Sequence, residues 1–110
     1  MKFYPIEVPR TGYRGANLAK QKKTYNRNRV ATLVEHYINT DLSTKPNDTI
    51  HQYHSAHIAQ ELGEDSKLVH DVIFATDGGS NGITIVKGDY ERAMEALHQP
   101  KDKTKMAEEN

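Results

Sequence analysis

The chain has 110 residues, 15 of them Lys or Arg and 15 Asp or Glu, no cysteine, and 35% hydrophobic residues. That length holds one domain with a single modest core, and the missing cysteines exclude disulfides, thiolate metal sites and a cysteine nucleophile. No apolar run nears the roughly 20 residues that span a bilayer, and MKFYPIEVPR lacks the continuous apolar stretch of a secretory leader, so the expectation is a cytoplasmic protein without a membrane partner.

The zero net charge conceals an asymmetry. Residues 1–29 carry Lys2, Arg10, Arg14, Lys20, Lys22, Lys23, Arg27 and Arg29 against Glu7 alone. Residues 30–110 carry the opposite excess, so a basic arm at +7 precedes a body at −7. Such an arm meets polyphosphate or an acidic partner, or it folds back on the acidic body as a solubilising tail.

Residues 1–15 hold Pro5, Pro9, Gly12 and Gly15 and have no helical period. Phe3, Ile6 and Val8 suit an extended segment lying on the body. The polar stretch 17–29 is either a helical extension or disordered. From Val30 the pattern changes: Val30, Leu33, Val34, Tyr37 and Ile38 make one helical stripe. A first helix is expected over about 27–40, capped by Asn26 or Asn28 and ended by NTDLSTKPND. TIHQY (49–53) reads as a short strand or extended lead-in.

Ser55 is a candidate N-cap for a helix over 55–62, with Ile58, Ala59 and Leu62 inward. Gly63 supplies a left-handed turn without a side-chain penalty. Asp65 or Ser66 caps a second helix over 66–75, whose Leu68, Val69, Val72 and Ile73 form the buried side. DGGSNG (77–82) is loop chemistry, and ITIV (83–86) is the clearest strand. VIFAT (72–76) could begin the first strand of a wing beside it, at the cost of shortening the second helix. Asp89 caps YERAMEALH, with Met94 and Leu97 inward and Pro100 as the stop; the last ten residues read as a loose tail.

Ala59, Gly63, Val69 and Val72, with apolar phase and caps at both helices, resemble the helix-turn-helix motif. The upstream helix extends the resemblance to a tri-helical unit, and the Gly-rich loop and strand extend it to a winged helix. The expected fold is therefore mainly α with a small β wing: a basic N-terminal arm over 1–26, a winged-helix-like domain over 27–98 and a tail over 99–110.

In that resemblance helix 66–75 is the recognition helix, with Ser66, Lys67, His70 and Asp71 outward. Glu64, Asp65 and Asp71 repel phosphate, so attraction must come from Arg10, Arg14, Lys20, Lys22, Lys23, Arg27 and Arg29, aided by Asn81 at the wing tip and Lys87 beyond it. Tyr13 and Tyr25 either stack on exposed bases, which keeps RNA open, or pack at the base of the first helix.

His51, His54, His57 and Glu61 tempt a zinc reading, but exposed or half-buried rings explain them more simply. No phosphate-binding glycine loop and no Ser-His-Asp set can be assembled, so neither catalysis nor a cofactor is expected. Two functions remain: a DNA-binding transcriptional regulator using helix pair and arm, or a winged-helix adaptor or inhibitor that binds a protein through its acidic body and binds no DNA. A homodimer is compatible with either, with the helix over 90–98 as the spare apolar face.

Overall fold

The computed structural model describes residues 1–79 and 81–98. It is mainly helical, with four helices and one three-stranded sheet. In chain order these are β1 (Lys2–Phe3), α1 (Leu18–Ser43), β2 (Thr49–His54), α2 (Ser55–Leu62), α3 (Ser66–Asp77), β3 (Gly82–Lys87) and α4 (Tyr90–His98). Ser80, Pro100 and the tail lie outside the described residues.

The first helix begins well before residue 27. Asn17, not Asn26 or Asn28, is its cap: the Asn17 side chain accepts from the Lys20 amide at 3.1 Å. The run LAKQKK that follows has high helix propensity and no apolar period, so periodicity alone places the start too late. Burial starts at Val30 and continues through Ala31, Val34, Ile38 and Leu42, while Leu33 and Tyr37 are only half-buried.

Residues 4–11 run as an extended strap along α1, and side chains of α1 satisfy their backbone. Ile6 exchanges two hydrogen bonds with Asn39 (2.9 and 3.0 Å). The Val8 amide donates to Glu35 at 2.8 Å. Thr11 exchanges two bonds with Asn28 (2.9 and 2.8 Å), which lies inside α1 rather than at its start. Ile6 and Val8 are buried in the core, as the extended-segment reading expects, whereas Phe3 is exposed.

The helix pair has the expected bounds at its turn. Gly63 sits at φ 66° and ψ 33°, its amide bonded to the Ala59 and Gln60 carbonyls, and the Glu64 amide reaches Ala59 O at 3.0 Å. This left-handed closure satisfies the last carbonyls of α2. Asp65 then caps α3 by accepting from Leu68 N at 3.0 Å. Ala59, Val69, Val72 and Ile73 are buried together with Ile58. Ser55 is not a cap: it is the first residue of α2, and its buried hydroxyl donates to Asn81 O at 3.0 Å.

The sheet corrects the expected wing. VIFAT is helical, because α3 continues to Asp77 and closes at Gly78, φ 73°. The 83–86 strand forms no hairpin with it. Instead β3 is the central strand, antiparallel to β2 with Tyr53 opposite Ile83, and parallel to β1 with Phe3 opposite Val86. Asp89 does cap α4, accepting from Arg92 N at 2.8 Å. Within α4 the buried residue is Ala93; Met94 is half-buried and Leu97 is exposed, contrary to the inward pair expected. No described helix is long and apolar enough to cross a membrane.

Candidate nucleic-acid interface

Helices α1 and α3 pack against each other, and residues 23–27 of α1 lie across from the start of α3. A cleft of about 390 Å³ between them is lined by Lys23, Asn26, Asp65, Lys67, Leu68 and Asp71. A second, of about 220 Å³, is lined by Lys23, Thr24, Arg27, Leu68 and Asp71. Lys23, Arg27 and Lys67 thus border one surface, with Ser66, His70 and Phe74 along the outer side of α3. The His70 and Phe74 rings stack with centroids 6.4 Å apart, and Phe74 is 54% exposed. Sequence periodicity does not single out Phe74, since the residue falls inside a run that reads equally as a strand.

The carboxylates that argue against phosphate are mostly engaged. Glu64 accepts from Arg29 through both oxygens, at 2.8 and 3.0 Å, and that guanidinium holds its carboxyl below the usual range. Asp65 caps α3. Asp71 stands 3.8 Å from Lys67 on the next turn. The negative charge along α3 is therefore partly compensated within the fold.

The basic residues divide into two groups. Arg10 is tied to Val8 O and to Glu35 (3.3 Å), Arg27 donates to Pro9 O at 3.2 Å, and Arg29 is held by Glu64 and Asn26. These three brace α1 against the strap and the α2–α3 turn. Arg14, Lys20, Lys22 and Lys23 are exposed and have no ion pair or side-chain hydrogen bond among the described residues. Tyr13 is half-buried beside Gly15, and Tyr25 is 72% exposed, so only Tyr13 packs near the base of the helix.

Lys87 is tied up within the fold, and Asn81 does not sit on a wing. The half-buried Lys87 ammonium donates to the carbonyls of Leu42 (2.8 Å), Ser43 (3.4 Å) and Lys45 (2.6 Å), and lies 5.1 Å from the Tyr4 ring centre. It neutralises the negative end of α1 and faces away from solvent phosphate. Asn81 is exposed but sits at the start of β3, where its carbonyl takes both the amide and the hydroxyl of Ser55; it is not a wing tip.

Among the described residues no three His, Asp or Glu side chains come together as a metal site. His51 and His54 lie three residues apart on β2 and so point to opposite faces. His51 is instead in contact with Thr49 Oγ1 at 2.8 Å. No protein-family model, curated protein or solved structure matches the chain at a significant level.

Proposed function

We propose that the chain is a helix-turn-helix protein of winged-helix type, lacking a wing hairpin, that binds double-stranded DNA and regulates transcription. The order α1, β2, α2, α3, β3 supports the fold reading, as does the Gly63 turn between two short helices. One observation carries the functional reading: the outer side of α3 borders the basic first half of α1, so Lys23, Arg27 and Lys67 line common clefts. Here α3 fixes orientation in a groove, while Arg14, Lys20 and Lys23 supply attraction through counterion release. The basic arm is then a helix rather than a loose thread.

A titration against random duplex at several salt concentrations tests this. Binding is expected with constants of about 10⁻⁶ to 10⁻⁴ M, and the double variant Lys23→Ala/Lys67→Ala should flatten the salt dependence by about two contacts' worth of slope. Single-stranded RNA belongs in the same titration as competitor.

A second reading has its own observation. Exposed Phe74, stacked on His70 and next to Asp71, is the kind of apolar and acidic patch that a protein partner covers. No shift at tens of micromolar in low salt overturns DNA binding and leaves the adaptor.

A further inference from the structure

Opposite the buried side of α1 runs a second stripe. Leu18, Lys22, Tyr25, Arg29, Leu33, His36 and Thr40 recur at the three- and four-residue spacing that keeps side chains on one line. The stripe is about 33 Å long at 1.5 Å per residue. Leu18 and Tyr25 are 71% and 72% exposed, large apolar groups on a stretch of α1 with no buried residue. At the other end, Leu33, Tyr37 and Leu62 wall a mostly apolar groove of about 320 Å³, edged by His36, Thr40 and Asp41. One half of the helix thus offers apolar knobs, and the other half offers a groove.

We propose that this face binds a second copy of the chain, with the two α1 helices antiparallel. Setting Tyr25 opposite the second copy's Leu33 also sets Leu18 opposite its Thr40 and Lys22 opposite its His36. The knobs of each copy then fall along the groove of the other, and the two-fold axis passes near Arg29. Charge agrees with that direction. The knob half carries Lys22 on this stripe, while the groove half is flanked by Asp41, already 3.9 Å from Lys45, and by Glu61 near Tyr37. Glu61 has no ion pair among the described residues. Both carboxylates are near enough to Tyr37 to help raise its phenol above the ordinary value, where burial is the main cause. A parallel pairing would stack lysine on lysine. The two Arg29 groups at the axis do not repel as bare charges, since each is held by its own Glu64.

The mass of the full chain in solution, measured without nucleic acid by light scattering or sedimentation, tests this apart from the DNA reading. Twice the chain mass is expected. Leu18→Glu or Tyr25→Glu should raise the dissociation constant by more than about tenfold. Both positions are exposed, and an unchanged circular dichroism spectrum confirms the fold. Lys22→Glu should weaken the dimer, and Lys22→Glu/Glu61→Lys should restore it. Because the chain has no cysteine, chains carrying Tyr25→Cys and Leu33→Cys can be mixed and oxidised; the antiparallel arrangement predicts the mixed cross-link over Tyr25→Cys with itself. A monomer up to roughly 1 mM, the weak end of specific association, overturns the proposal. So does a dimer indifferent to both glutamate substitutions, or one that cross-links Tyr25→Cys to itself.

Discussion

Arg29 on α1 and Glu64 in the α2–α3 turn form a two-bonded ion pair, 2.8 and 3.0 Å, that joins the long helix to the helix pair. Asn26 accepts from the same guanidinium at 2.8 and 3.1 Å, so the arginine is held in one plane. The pair fixes the angle at which α3 meets the basic half of α1, and it removes one positive charge from the candidate interface.

Glu64→Gln tests that second consequence. The amide keeps a hydrogen-bonding oxygen for Arg29 but releases its charge beside α3. Affinity for random duplex should rise on the order of fivefold at 0.1 M salt, as expected for about one more neutralised phosphate. Fluorescence anisotropy with a labelled duplex measures it; unchanged or weaker binding would place the pair outside the interface.

Lys87 makes the opposite prediction, for stability without binding. Its ammonium holds three carbonyls at the end of α1. Lys87→Met keeps the aliphatic stem and abandons those acceptors, and hydrogen bonds from charged groups are worth about 1.5–3 kcal/mol. Urea unfolding should register a loss of that size, with duplex affinity unchanged. A variant as stable as the parent would mean that water replaces the ammonium at no cost.

Stability should also fall at both ends of the pH range, for separate reasons. His51 is pushed below its ordinary 6.5 by burial first and then by Lys45, against a pull from Asp41, with Lys87 adding the smallest push downward. The unfolded chain therefore takes up this proton more readily, so the contribution is complete above pH 6.5 and is lost as pH falls through the lowered folded value. Tyr53 is pushed above its ordinary 10 by burial and by its 2.5 Å bond to Asp41. Its contribution is complete below pH 10 and is lost as pH rises beyond it. Thermal melts of His51→Gln should show a flatter acid side, and those of Tyr53→Phe a flatter alkaline side. Slopes identical to the parent's would assign both transitions to other groups.

What could be read in the residues follows the range of the forces involved. The α2–α3 pair was legible because Asp65, Gly63 and the Val69–Ile73 stripe all act within a turn or two. The β-branched run 83–86 announced a strand but not its neighbours, since β1 and β2 come from far upstream, with two helices between β2 and β3. The first turns of α1 were hidden because they bury nothing; only the Asn17 cap and helix-forming side chains mark them. Lys87 was misread for a related reason. A lysine at a strand end looks like a free cation until the carbonyls of Leu42, Ser43 and Lys45 arrive from the other side of the fold. In the candidate interface, Lys67 and His70 were readable from α3's period, whereas the neighbourhood of Lys23 and Leu68 required the helices to be docked.

The position of β3 has a consequence for how the chain assembles. It is the middle strand, yet it is synthesised after both of its neighbours, so neither Phe3 nor Tyr53 has a ladder partner until residues 82–87 emerge. Closing a loop of that length is entropically slow compared with winding helices whose contacts are local. Helices α1 to α3 can therefore form on the nascent chain while the sheet waits, and the seam between Phe3 and Val86, which spans most of the polypeptide, is the last to zip.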